Sequence, residues 1–354
     1  MSVPEQFVSK TLLQSFVPLA GLTAEQLDLL LAQSEGLHLF KGQTLVKAGD
    51  SQPLHLYLVH GSLRLVDDNN NEQRIEAGDA ASWQPLAHHF PRRVTVLADS
   101  DCSVLKVDSE FLEKLLCWGQ VSRCLLAEIA MNAHYDEDYF WIRKLLESKL
   151  FYKVPPMNIR KILRKFSEQR AGSGDVIIRQ GEEGSCCFLL KSGRAEVRVN
   201  DQPVATLVAG TVFGEDALVT NKPRNATIVM QDDGVLLKLE KQDFYQLLMQ
   251  PAVTMITAGN LQGFLQTGAQ LLDVRTEAEY SLGHHPQAIN LPLNLAYLKS
   301  RVLDREKRYI TYSVSEERAK AAAFLLNEQG FEAYALQSGL HALPRDIADQ
   351  FTAV

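Results

Sequence analysis

Between Gly210 and Val229 the string GTVFGEDALVTNKPRNATIV gathers residue types suited to an anion that also carries hydroxyls. Phe213-Gly214 lets the backbone turn tightly, and Glu215-Asp216-Ala217-Leu218 starts a short helix. A helix start presents unpaired N–H groups to an anion. Arg224 returns on the next strand, and its planar fork of donors suits a phosphate. Glu215 is oddly placed for a phosphate but well suited to accept hydrogen bonds from sugar hydroxyls. A ligand joining a phosphate to a free ribose hydroxyl uses both side chains. On the residues alone, a surface ion pair between Glu215 and Arg224 with no ligand stays open.

Other chemistry-bearing residues point to blander roles. The five cysteines (Cys102, Cys117, Cys124, Cys186, Cys187) show no paired CxxC spacing and read as free thiols of a reducing compartment. Cys117 and Cys124 fall on one helical face as core, whereas Cys186 and Cys187 point to opposite faces of a strand. His88-His89 and His284-His285 lack the spacing of helical metal ligands, so no metal is expected. Ser313-x-x-Glu316 reads as a helix cap, with Glu316 and Glu317 complementing the helix dipole. Arg92-Arg93-Val94-Thr95 has the look of a kinase site but falls on a strand.

The elements that must position these residues are repeated. Gly42, Gly49, Gly61 and Gly78 pair with Gly174, Gly181, Gly193 and Gly210, and Pro91, Arg92 and Thr95 with Pro223, Arg224 and Thr227. The offset is 174 − 42 = 132 at one end and 227 − 95 = 132 at the other, so no gap is needed. Runs such as Asp175–Arg179, Cys186–Lys191, Ala195–Val199 and Val235–Glu240, punctuated by glycine, predict a small antiparallel barrel or jelly roll in each copy. Helices are expected over Thr23–Glu35, Asn158–Gln169 and Phe244–Met249, with Glu110–Leu150 a largely helical connection. From Leu261 the pattern changes to strands alternating with helices: Leu271–Asp273, Tyr309–Tyr312, the helix Glu316–Gln329 and a strand around Ala333–Leu336. That alternation predicts a parallel-sheet α/β domain. The expected architecture is therefore two β-barrel (jelly-roll) domains with flanking helices, over 1–130 and 131–250, and a C-terminal α/β domain over 255–354.

Size and charge bound the function. A chain of 354 residues accommodates such an arrangement, and a net charge of -7 argues against a nucleic-acid surface. No apolar run reaches the length of a membrane span, and the N-terminus lacks a signal-peptide pattern. A cytoplasmic location without membrane attachment is the expectation.

The segment from Gly210 to Val229 resembles the phosphate-binding cassette of cyclic nucleotide-binding domains, as in the bacterial catabolite activator family and protein kinase A regulatory subunits. Both halves of the pattern, FGE-x-A-L and P-R-x-A-T, are present at Phe213–Leu218 and Pro223–Thr227. The resemblance implies that Glu215 holds the ribose 2′-hydroxyl and Arg224 the cyclic phosphate. It places the N–H groups of Gly214 and Ala217 in the phosphate cradle, with Phe213, Asp216, Leu218, Asn225, Ala226 and Thr227 completing the cassette. The first copy has Ala81-Ser82-Trp83-Gln84-Pro85 there. Trp83 only donates, is bulky enough to fill the sugar's place, and Pro85 lacks an N–H. The first copy is thus expected to be degenerate, kept for packing or dimerisation. Cyclic AMP is the expected ligand by analogy, with cyclic GMP the alternative, since Asn225 both donates and accepts.

The string LDVRTEAEYSLGHHPQAINLPL, Leu272 to Leu293, resembles the rhodanese family, with His285 and Gln287 departing from it. A working rhodanese carries C-x-x-G-x-R-S after the central strand. This chain has Ser313-Val314-Ser315-Glu316-Glu317-Arg318-Ala319. A serine oxygen cannot store sulfur as a persulfide thiolate does. The expectation is a non-enzymatic receptor that relays to a docking module and an unidentified protein partner, with a homodimer left open. The alternative is a nucleotide-regulated sulfurtransferase- or phosphatase-like enzyme.

Overall fold

The computed structural model describes residues 7–88, 91–132, 138–147, 154–216, 222–249 and 251–340. The chain divides into two compact units: 1–120 with 253–354, and 121–252.

The first copy opens with helices α1 (Lys10–Leu13) and α2 (Ala24–Gln33), the latter started by a capping box in which Thr23 and Gln26 exchange bonds. Strands β1 (Glu35–Leu39), β2 (Thr44–Val46), β3 (Leu54–His60), β4 (Ser62–Asp67), β5 (Glu72–Glu76), β6 (Val94–Ala98) and β7 (Cys102–Asp108) follow, then helix α3 (Ser109–Asn132). The strands form two antiparallel sheets, β1-β7-β3 and β2-β6-β4-β5. Alternation along β3 sends Leu56 and Leu58 into the barrel and Tyr57 into a second core beneath the helices.

Helices α4 (Asp138–Glu147) and α5 (Ile159–Lys165) precede the second barrel. Its strands are β8 (Ser167–Ala171), β9 (Val176–Ile178), β10 (Cys186–Ser192), β11 (Arg194–Val199), β12 (Gln202–Val208), β13 (Val212–Phe213), β14 (Thr227–Met230) and β15 (Gly234–Glu240). Helix α6 (Lys241–Leu247) closes it. The sheets are β13-β10-β15-β8 and β12-β11-β14-β9. The helix expected over Asn158–Gln169 stops at Lys165, and Ser167, Glu168 and Gln169 instead pair with β15. Those strand residues are all polar and exposed, so the sequence carried no apolar alternation there.

The duplication extends to individual hydrogen bonds. Gly49 donates to the Arg92 carbonyl at 2.8 Å, and Gly181 to that of Arg224 at 2.9 Å. Thr95 Oγ1 accepts from Ala48 at 3.1 Å, and Thr227 Oγ1 from Gln180 at 3.0 Å.

Residues 255–336 carry a five-stranded parallel sheet in the order β16-β20-β19-β17-β18. In chain order the elements are β16 (Met255–Ile256), α7 (Ala258–Gln266), β17 (Gln270–Asp273), α8 (Glu277–Ser281), β18 (Ala288–Asn290), α9 (Ala296–Lys299), β19 (Arg308–Tyr312), α10 (Glu316–Glu328) and β20 (Glu332–Leu336). Leu271, Ile310, Tyr312 and Leu336 fill its core. The cap of α10 corrects the sequence expectation. Ser315 is the N-cap residue, while Ser313 Oγ donates to the Ser315 carbonyl two residues before the helix. The chain leaves β19 in a turn, which moves Ser313 out of capping reach. Among the described residues no helix is long and apolar enough to cross a membrane.

Candidate functional site

In the second copy β13 carries Phe213 into the barrel, where its ring stacks on Phe188 with centroids 5.5 Å apart. This anchors the turn that follows. Gly214 adopts φ +75, a left-handed conformation disfavoured for residues with a Cβ. A Cβ there would lie 2.7 Å from Arg224 Nη1 and 2.8 Å from Ile178 Cδ1, so the backbone and the guanidinium share one tight space.

Arg224 is 9% exposed. Its Nη1 donates to the Gly214 carbonyl at 2.7 Å and its Nη2 to the Cys186 carbonyl at 2.7 Å. These bonds fix the plane of the guanidinium, and the five-donor fork retains N–H groups for a further acceptor. The contacts go to carbonyls rather than to Glu215, so the bare ion pair left open by the sequence is not formed. Glu215 stands half-buried at the turn. Burial raises its carboxyl above the usual range, opposed by a backbone hydrogen bond and, least of all, by Arg224, while the neighbouring Asp216 charge adds to the rise. Such a carboxylate gains from any donor a ligand brings. Asp216 accepts from Asn225 Nδ2 at 3.0 Å, and the rest of the helix expected from it lies outside the described residues. Ala226 and Thr227 lead into β14, with Thr227 Oγ1 tying that strand to Gln180. The expected contacts at Ala217 and Leu218 lie outside the described residues.

The first copy shows how far this arrangement tolerates change. Arg92 is 3% exposed, and its Nη2 donates to the Leu54 carbonyl, the counterpart of Cys186. Its Nη1 goes instead to Ala87 at 2.6 Å and Leu86 at 3.1 Å. The cause is local. Ala80–Trp83 forms a 3-10 turn in place of β13, closed by Ser82 Oγ, which donates to the Asp79 carbonyl and accepts from Gly78. Burial lowers the Arg92 guanidinium to about 10, only partly offset by Asp50. Trp83, at the end of this turn, is 41% exposed.

Cys186 was legible in the sequence only as a strand cysteine. It anchors Arg224 through its main-chain carbonyl, a role no residue type announces. All five cysteines are free and buried, and Cys117 and Cys124 are core as expected. Among the described residues no cluster of His, Cys, Asp and Glu is arranged to hold a metal. His284 Nδ1 lies 2.9 Å from the Tyr280 carbonyl, and His285 Nδ1 accepts from Gln287, consistent with loop roles. In the α/β domain Ser313 is fully buried.

Comparison with known proteins fits this geometry. Residues 37–116 and 168–251 match the cyclic nucleotide-binding domain, and 257–344 match the rhodanese-like domain. A cAMP-dependent protein kinase regulatory subunit of Debaryomyces hansenii is 27% identical over 219 residues, covering 61% of this chain and 45% of the relative. A cGMP-dependent protein kinase of Eimeria tenella is 27% identical over 203 residues, covering 56% of this chain and 18% of the relative. The chain thus spans less than half the length of these two relatives. Among solved structures, the Thermus thermophilus catabolite activator protein is 29% identical, with 28% of this chain and 50% of that chain covered and a TM-score of 0.26. The regulatory domain of Toxoplasma gondii PKA with cAMP is 18% identical, with 74% and 95% covered and a TM-score of 0.28.

Proposed function

We propose that this chain, which carries two cyclic nucleotide-binding domains followed by a rhodanese-like domain, is a regulatory receptor that binds one cyclic nucleotide, cAMP, in its second repeat. One observation carries the reading. The second repeat holds a buried arginine fork beside a glycine turn and a half-buried carboxylate, whereas the first has lost the turn and the carboxylate. Arg224 would take the cyclic phosphate together with the Gly214 and Ala217 amides, and Glu215 the ribose hydroxyl. Phe213, Asp216, Leu218, Asn225, Ala226 and Thr227 shape the cassette. Cyclic GMP is the competing ligand, and Asn225, exposed and bonded to Asp216, is the polar residue that meets either base.

The rhodanese-like domain acts in this reading as a non-catalytic module that passes the signal to a protein partner, in the cytoplasm. Ser313 replaces the thiol of the family pattern, and its hydroxyl is engaged with the Ser315 carbonyl rather than poised for attack. The test is isothermal titration of the full chain with cAMP and with cGMP, alongside Arg224→Ala. One site per chain and the loss of a desolvated charge contact of about 2–5 kcal/mol are expected. Two equal sites, or an Arg224→Ala variant with unchanged affinity, would overturn the assignment.

A further inference from the structure

Within the unit formed by 1–120 and 253–354, one cluster has no part in nucleotide binding. Arg318, on the first turn of α10, is completely buried. Its Nε and Nη2 donate to the two carboxylate oxygens of Glu113 at 2.8 and 2.7 Å. Its Nη1 and Nη2 both donate to Glu279, each at 2.8 Å. Glu279 belongs to α8 of the same α/β domain, but Glu113 comes from α3 of the first repeat. Ser315 Oγ adds a bond to Glu113 Oε2 at 3.0 Å, and Cys117 Sγ donates to the Glu317 carbonyl at 3.6 Å.

The pattern of α3 fits two burials at once. Leu112, Leu115 and Leu116 join the core beneath the first barrel. Glu113, Cys117 and Gln120, spaced by four and three residues, form a second buried stripe. A carboxylate on such a stripe is tolerable only with a fixed cationic partner, because an unpaired buried charge is costly. Burial pushes Glu113 upward. At Glu279 burial is outweighed by Arg318 and Arg275, which hold its carboxyl at about 2.

We infer that the first repeat serves as an internal dock for the rhodanese-like domain, its Glu113 carboxylate occupying the start of α10 where an external oxyanion would otherwise sit. The occupant is visible: a carboxylate held by a two-pronged guanidinium and a serine hydroxyl at the N-terminus of a 13-residue helix. The loop from Ser313 to Ala319 is thereby closed to outside anions and committed to holding the two domains together. The first repeat has lost its turn and carboxylate for nucleotide and kept this dock. A buried ion triad adds little net stability over an apolar core, but removing one partner leaves an uncompensated buried charge. The inference stands apart from the nucleotide reading and survives if no nucleotide binds.

The test uses the full chain with a specific protease site inserted between Pro251 and Val253. After cleavage, the wild-type pieces should remain one species on size-exclusion chromatography. Glu113→Ala should weaken their association by roughly a hundredfold or more, as expected when one partner of a buried charge pair is removed. Hydrogen exchange of the 313–319 amides should rise in the same variant. If Glu113→Ala does not fold, Glu113→Gln keeps the volume while removing the charge, and exposed Lys114→Ala serves as the neutral neighbour. Wild-type pieces that separate on cutting would overturn the dock. So would a Glu113 variant with unchanged association and unchanged exchange.

Discussion

Replacing Gly214 by alanine tests the site at the point where backbone and ligand chemistry meet. The added Cβ would stand 2.7 Å from Arg224 Nη1 and 2.8 Å from Ile178 Cδ1. Ile178 belongs to the barrel core, so it has little room to yield. The left-handed φ of +75 costs an L-residue about 1–2 kcal/mol by itself. Moving the guanidinium breaks its bond to the Gly214 carbonyl, a charged hydrogen bond worth about 1.5–3 kcal/mol. Arg224 then no longer faces the phosphate position, and nucleotide affinity should fall by roughly tenfold or more. Gly174→Ala is the matched comparison. It has a similar φ of +88, yet its Cβ would meet nothing within 4 Å. Both variants should lose stability in thermal melts followed by circular dichroism, Gly214→Ala the more because of its two clashes. Only Gly214→Ala should lose affinity in titrations with cAMP. Equal affinity losses in the two, or none in Gly214→Ala, would refute the argument that the turn positions the arginine.

The remaining expectations concern separate groups. Arg92→Ala should leave the nucleotide titration nearly unchanged while lowering the melting temperature, because its fork bonds the Leu54, Leu86 and Ala87 carbonyls of its own repeat. Burial raises the Glu215 carboxyl, and a ribose hydroxyl favours its ionised form, so affinity should weaken as pH falls through its raised value. Titrations at stepped pH check this, and a flat profile in Glu215→Gln assigns it. Burial lowers His55 to about 3 from 6.5, so the unfolded chain takes up a proton that the fold refuses. Stability should therefore decline as pH drops below 6.5, by about 1.4 kcal/mol per pH unit. His55→Cys, matching Cys187 of the second repeat, should flatten that decline in melts at pH 7 and 5, at the cost of the 2.7 Å contact with Ser109. The full chain should transfer no sulfur from thiosulfate to cyanide, and Ser313→Cys alone should restore little, since position 313 is fully buried and Glu316 and Glu317 remain in the loop.

Much of this molecule was legible along the chain because its signals are local. Glycines at a fixed offset mark left-handed turns, and the same positions carry positive φ in both copies. Alternating apolar runs and the Leu271–Asp273 and Tyr309–Tyr312 segments disclosed barrel strands and a parallel sheet for the same reason. The closeness of Gly214 and Arg224 was legible too, since both lie within one short segment. Folding in three dimensions settled the rest. A strand that is polar and exposed over Ser167–Arg170 exists because β15 offers it backbone partners, not because its side chains announce it. The 3-10 turn that Ser82 closes stands in place of β13 in the first copy, and the anchoring of Arg224 depends on a main-chain carbonyl 38 residues away. Glu113 and Arg318 are separated by 205 residues, and each alone reads as an ordinary helix charge. Only burial on both faces of α3 makes their pairing necessary, because desolvation is a property of the assembled surroundings and not of spacing along the chain.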